Sequence, residues 1–288
     1  MRRVLAALLL VGAVAPWRPA VLPAPLLPNS PDSQKFAVIG DHGSGARPQY
    51  ELADQMRIAR QGFPFELVVT VGDVFYGSQK PADRVKKFEL PYKALLDAGV
   101  TFRAALGNHD ATDTVHYPPL NMAGQRYYTF AERRIRFFVL DTNVLDPPQL
   151  RWFESALAAA QEPWKIAVFH HPLYGNAGRH GSNVDLRVLL EPLLVKGGVQ
   201  VVFSGHDHVY ERLRPQRGIH YFVVGSSGQL RKGDLQRTAT TAAGFDQDQV
   251  FLLAEVDGDQ LYFEAISRTG ATVDGGVIQR GVSLTSRE

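Results

Sequence analysis

From Lys35 onward, short apolar runs alternate with stretches of helical periodicity. "KFAVIG" is apolar up to its glycine, the pattern of a short buried strand. "PQYELADQMRIARQG" spaces its apolar positions as a helix does and has Gly62 as a stop. "FELVVTVG" predicts a second strand, "PADRVKKFELPYKALLDAG" a helical stretch interrupted by Pro91, and "VTFRAALG" a third strand. The opening part of the chain therefore reads strand, helix, strand, helix, strand, which implies a βαβαβ unit with a parallel sheet.

Farther along, "QRYYTFAERRIRFFVLD" reads as a core hairpin rather than a binding platform. "PPQLRWFESALAAAQE" is an amphipathic helix with proline near its start. "WKIAVFH" and "VQVVFSG" are strands that flank the helix "NVDLRVLLEPLLVKGG". "IHYFVVGSSG" follows, and the end of the chain is antiparallel in character, with "DGD" as a hairpin turn. Without repeats or low-complexity segments after residue 34, residues 35–286 read as one α/β domain.

The first residues follow a different pattern. "MRR" is a basic start, and "VLAALLLVGAVA" is an apolar run shorter than the roughly 20 residues of a membrane span. Residues 1–20 are read as an export signal to the periplasm or the exterior, with an uncleaved anchor as the alternative. Residues 21–34 are Pro-rich and read as a linker. The net charge is +2, and Arg2, Arg3 and Arg18 all lie in that leader. The folded part thus lacks the broad basic field that nucleic-acid binding favours. There is no cysteine, which excludes disulfides, thiolate metal sites and a thiol nucleophile.

Chemistry collects where the strands end. Five runs lead into Asp41 ("GDHG"), Asp73 ("GDVFY"), Asn108 ("GNHD"), His170 ("HHPLY"), and His206 with His208 ("GHDH"). Four of the five have glycine directly before the ligand-type residue, which permits a sharp turn and a close approach. Carboxyl ends of strands are where open α/β sheets bind ligands, and the pattern puts all five on one sheet edge. Each fragment alone is an ordinary turn. Together they offer carboxylate, amide and imidazole donors, which suit iron, manganese or zinc. The donors outnumber the needs of one ion, and two-metal sites hold their ions roughly 3.5–4 Å apart.

This ordered set resembles the calcineurin-like metallophosphoesterases, and within them the purple acid phosphatases, including the small tartrate-resistant type. The resemblance implies a four-layer α/β/β/α sandwich of two mixed sheets flanked by helices. It implies one metal held by Asp41, Tyr76 and His208, a second by Asn108, His170 and His206, and Asp73 bridging both. The first would be Fe(III) and the second Fe(II), zinc or manganese. The implied activity is acid phosphatase action on small phosphate monoesters, by attack of a metal-activated hydroxide. Asn108 and His109 would meet the phosphate, with His109 assisting the leaving oxygen as a catalytic group. The family has a second substrate-side histidine nine residues after the metal-binding one. Here Arg179 holds that place and His180 is one further, so both remain candidates for phosphate contact, with His180 the second catalytic candidate.

Several neighbours need separate readings. Asp110 is expected either to orient the His109 ring or to serve as a turn residue. His170 is preferred to His171 because His, any residue, Pro fits the family pattern. His42, next to Asp41, should face away from the metals. Related phosphodiesterases carry histidine where Gly43 stands, and Tyr76 appears here instead, which favours the purple branch. Two readings compete with it: a phosphodiesterase or nucleotide hydrolase on the same fold, and a non-catalytic metal-binding protein.

Overall fold

The computed structural model describes residues 27–281. The expected export signal, the first part of the Pro-rich segment and residues 282–286 lie outside the described residues. The strands, in chain order, are β1 (Gln34–Ile39), β2 (Leu67–Thr70), β3 (Thr101–Ala104), β4 (Tyr128–Glu132), β5 (Ile135–Val139), β6 (Trp164–Val168), β7 (Val201–Ser204), β8 (Tyr210–Leu213), β9 (His220–Val224), β10 (Thr241–Phe245), β11 (Val250–Asp257), β12 (Gln260–Ser267) and β13 (Thr272–Gln279). They form two mixed sheets, ordered β13-β12-β11-β1-β2-β3 and β10-β8-β9-β7-β6-β5-β4. β1, β2 and β3 are parallel, as are β5, β6, β7 and β9.

Burial explains why these strands read as unbroken apolar runs. In β1, Phe36 and Val38 pack between the two sheets, while Ala37 and Ile39 pack on the helices behind. In β6, Ile166 and Val168 face the other sheet, and Ala167 faces the opposite helical layer. A strand covered on both faces needs apolar residues at every position. Each fully buried Phe, Leu or Val contributes roughly 1.5–3 kcal/mol. The helix α1 (Arg47–Gly62) turns Gln49, Leu52, Ala53 and Met56 inward at helical spacing. Behind the same sheet lie α2 (Pro81–Arg84), a π turn over Val85–Glu89, and α3 (Lys93–Asp97), with Pro91 at the break. On the other sheet pack α4 (Pro147–Ala159), capped by Asp146, and α5 (Val184–Lys196), capped by Asn183. The layers are therefore helix, sheet, sheet, helix.

The structure amends the sequence reading in two places. β8 and β10 escaped it. Tyr210, Glu211 and Arg212 lie in β8, where Tyr210 Oη donates to Asp274 at 2.8 Å and Arg212 donates twice to the same carboxylate. Finally, part of the supposed linker is fastened down. The backbone N–H groups of Asn29 and Ser30 donate to the two oxygens of buried Glu255 on β11, at 2.7 and 2.6 Å. Among the described residues, no helix is long and apolar enough to cross a membrane.

Candidate metal centre

The five strand ends do not share one sheet edge. β1, β2 and β3 deliver Asp41, Asp73 and Asn108 from the first sheet, while β6 and β7 deliver His170, His206 and His208 from the second. Because the sheets stack face to face, their parallel portions end together and the two half-sets meet. The turns that achieve this are strained at the donors themselves. Asp41, Asp73 and His206 have φ of 53°, 50° and 69°, in the left-handed region. Each costs on the order of 1–3 kcal/mol and persists only where its surroundings impose it. Of the four glycines before these donors, only Gly72 is left-handed, at 101°. Gly107 and Gly205 instead permit close approach. A Cβ on Gly107 would lie 2.1 Å from Asp73 Oδ1, and one on Gly205 2.3 Å from Asp41 Oδ2.

The first donor set is anionic. Tyr76 Oη lies 3.0 Å from Asp41 Oδ1 and 3.0 Å from His208 Nε2. Asp41, Asp73 and His208 each bring a ligand atom within 4.8 Å of the others. Burial, and then the Asp73 charge, pushes Asp41 well above the usual carboxylate range. Burial and the same two carboxylates raise the Tyr76 phenol. Among the described residues, the ion pairs of Asp41 and Asp73 are with His208 and His170 alone, both at 3.5 Å. Burial holds both imidazoles below the ordinary range, His208 at about 4. Two buried carboxylates thus face each other without a fixed positive charge, and a cation would oppose the upward shifts of Asp41 and Tyr76.

The second set is neutral. His170 Nδ1 is 3.0 Å from the Val71 carbonyl oxygen, which can only accept, so Nδ1 carries the ring proton. Its Nε2 then offers a lone pair, and that atom lies 2.9 Å from Asn108 Oδ1, another acceptor. His206 Nδ1 is 2.9 Å from the same oxygen and 3.2 Å from His170 Nε2. One proton on His206 can serve only one of these two acceptors. A cation among the three atoms would satisfy them all, so both donor sets fit metal ions.

Around these sets stand the substrate-side candidates. The exposed His109 ring packs on Tyr76 at 4.6 Å, and its backbone N–H donates to Asp73 Oδ1 at 2.9 Å. The expected pairing of Asp110 with the His109 ring is not formed. Its oxygens instead accept N–H groups from Phe75 at 3.0 Å and Gly107 at 2.8 Å, tying the second and third strand-end loops together. Burial pushes that carboxyl up to about 7. The exposed His180 ring packs at a tilt on His206, 4.2 Å between ring centres, and the exposed Arg179 adds its charge beside His180. His171 is bound through Nδ1 to Thr142 Oγ1 at 2.9 Å, and its ring lies 4.4 Å from His206. A cavity of about 460 Å³ opens between His171, Arg179, His180 and His206. Another of about 630 Å³ adjoins it along Asn108, Asn143 and His171.

His42 does face away. It is fully buried, edge-on to Tyr92, with Nε2 3.2 Å from Thr70 Oγ1. Position 43 has no room for a side chain, since a Cβ there would lie 1.7 Å from the Val74 carbonyl oxygen. Two residues were missed. Asp207, buried between two donor histidines, accepts the Gly181 N–H at 3.1 Å and so steadies the loop that carries His180. Arg231 donates its backbone N–H to the His208 carbonyl at 3.0 Å. The available signal was β9, a parallel neighbour of β7, whose following loop must emerge at the same edge.

Comparison with known proteins adds an independent view. The calcineurin-like phosphoesterase family model matches residues 34–210. Tartrate-resistant acid phosphatase type 5 of Oryctolagus cuniculus is 25% identical over 256 residues, spanning 73% of this chain and 78% of that protein. The fold is similar to purple acid phosphatase PPD1 from yellow lupin (Lupinus luteus) seeds, with TM-score 0.72, 19% identity, and coverage of 89% of this chain and 55% of that one. It is also similar to GAP50, the anchor in the inner membrane complex of Plasmodium, with TM-score 0.75, 19% identity, and coverage of 88% and 90%.

Proposed function

Because the chain belongs to the calcineurin-like phosphoesterases, we propose that it is a two-metal acid phosphatase acting on small phosphate monoesters. The observation that carries this reading is the pairing of an anionic donor set, Asp41, Tyr76 and His208, with a neutral one, Asn108, His170 and His206. Asp73 stands between them, 3.5 Å from His170 Nε2 and grouped with Asp41 and His208.

In this reading Asp41, Tyr76 and His208 would hold Fe(III), Asn108, His170 and His206 would hold Fe(II), zinc or manganese, and Asp73 would serve both. Ions bound there would supply Lewis acidity toward phosphoryl oxygens and would lower the pKa of water toward neutrality. The protein does the positioning. Asp73 accepts the His109 N–H and so fixes the backbone that presents the His109 ring. That ring is exposed, and in this reading it donates a proton to the leaving oxygen. Asn108 contributes a neutral oxygen, which leaves the second ion more electrophilic than a carboxylate would. Across the centre, His180 and Arg179 offer N–H donors to the phosphate oxygens, the guanidinium in bidentate fashion. Export to the periplasm or the exterior belongs to the same proposal and rests on the apolar run after "MRR".

The diester reading is weaker because position 43 cannot hold the histidine of the diesterase pattern without displacing Val74. Two measurements test the proposal. The iron-loaded, air-oxidised protein is expected to show a broad visible band that Tyr76→Phe abolishes. Turnover of para-nitrophenyl phosphate is expected to exceed that of bis(para-nitrophenyl) phosphate. Faster diester turnover, or an active iron protein without the band, would overturn the purple-type assignment. Metal-loaded protein that turns over neither substrate would leave the non-catalytic reading.

A further inference from the structure

The end of β5 also reaches this centre, and it holds His171. Thr142, just past β5, is buried. Its Oγ1 accepts the His171 backbone N–H at 3.2 Å and lies 2.9 Å from His171 Nδ1. Among the described residues, that hydroxyl has no other hydrogen-bonded partner. A buried hydroxyl keeps its proton in a hydrogen bond. The backbone nitrogen can only donate, so the one acceptor left for the Thr142 proton is Nδ1. In the neutral His171 ring Nδ1 therefore carries the lone pair and Nε2 the proton.

His170 is the reverse case, because its Nδ1 proton goes to the Val71 carbonyl and its Nε2 keeps the lone pair. Two adjacent imidazoles thus present opposite groups. A lone pair suits a cation, and an N–H suits an anionic oxygen. The half-buried His171 ring lies 5.0 Å from the His170 ring and 4.4 Å from the His206 ring, centre to centre. It lines both cavities at the centre, those of about 460 and 630 Å³. Among the described residues, its Nε2 has no hydrogen-bonded partner.

We propose that His171 is a substrate-binding residue whose Nε2–H donates to a phosphoryl oxygen beside the His170–His206 half of the centre, and that Thr142 is the positioning residue that sets its tautomer. The inference rests on the phosphatase reading of the same centre and adds a contact to it. It also divides the two histidines by role. His170 faces the ion, and His171 faces what the ion binds.

The test measures calorimetric binding of inorganic phosphate, turnover of para-nitrophenyl phosphate, bound metal and Tm. The metal-loaded wild type is compared with His171→Ala, His171→Gln, Thr142→Val and the double variant His171→Ala with Thr142→Val. His171→Ala is expected to keep both metals while phosphate binding and kcat/KM each fall about tenfold or more, the scale of one hydrogen bond to a charged group. His171→Gln keeps an N–H donor and should recover part of the loss. Thr142→Val should lose less, and should add nothing to the loss in the double variant; a further loss there overturns its positioning role. Release of a metal by His171→Ala would make His171 a ligand and overturn the proposal, as would unchanged phosphate binding or a wild type that binds no phosphate. Wild-type protein that binds phosphate without hydrolysing the ester sinks the phosphatase reading alone, and the binding comparison still decides the role of His171. Ring-nitrogen NMR of the zinc-loaded wild type reads the tautomer without any variant: a proton on His171 Nε2 supports the proposal, and a proton on Nδ1 alone overturns it.

Discussion

The two halves of the centre are built from the same device, a strand that stops and turns, yet they differ in charge. The half around Asp41 and Tyr76 gathers acidic groups in a buried place where neither His42 nor His208 is protonated at neutral pH. His42 is held at about 3 and His208 at about 4, in each case chiefly by burial. The half around Asn108 and His170 gathers neutral donors, and the His170 ring proton is committed to the Val71 carbonyl. Carboxylates and phenolate favour a hard, highly charged ion, and imidazoles suit a divalent one. The difference teaches that selectivity between two adjacent ions can be set by charge, with similar spacing in both sets.

Removing the shared group breaks the comparison most completely. Asp73→Asn is expected to lose both metals and to lower activity on the order of 10³-fold or more. Metal analysis checks it, and a fully loaded, active variant would refute the shared role. Next come the paired variants His170→Ala and His171→Ala. The first should release one equivalent of metal, the divalent one, with affinity falling at least about 100-fold, and the second should retain both. Metal titration reads the difference, and the reverse order would move the ligand assignment to His171. Tyr76→Phe should act on the anionic half alone, removing the visible band while the divalent ion stays bound.

The smallest effect tests what lies behind the anionic half. Burial lowers His42 to about 3 from an ordinary 6.5. An unfolded chain takes up this proton near 6.5 and the folded one refuses it until about 3. The stability due to His42 is therefore complete above pH 6.5 and lost as the pH falls toward 3, with a slope on the order of 1.4 kcal/mol per pH unit. In metal-free protein, His42→Phe should flatten the fall of Tm between pH 6.5 and 4. An unchanged slope would mean that His42 is not buried neutral.

The donors were legible because their residue types are rare at the ends of apolar runs, and because strands buried on both faces leave an unbroken apolar signature. Asp41, Asp73, Asn108, His170 and His206 all stood out on that ground. What the pattern could not carry was the partition between two sheets. Periodicity reports that a strand is buried but not which strand covers it. β8 and β10 were missed because "YERL" mixes charge with apolar positions and "TAAGF" has little β-branched character. Arg231 was missed because a guanidinium after a strand is ordinary, and only the β7–β9 pairing brings it to the centre. Local spacing made Asp110 a neighbour of His109, whereas the fold turns it toward the backbone N–H groups of Gly107 and Phe75.

The clasp of Glu255 on Asn29 and Ser30 has a practical side. β1 begins just after that clasp and ends just before Asp41. Six strand residues at about 3.3 Å each separate the two by about 20 Å. Any tag, support or fusion joined ahead of residue 27 therefore departs from the far end of the strand, and immobilising the protein by that end would leave the mouth of its cavity open to the surrounding liquid.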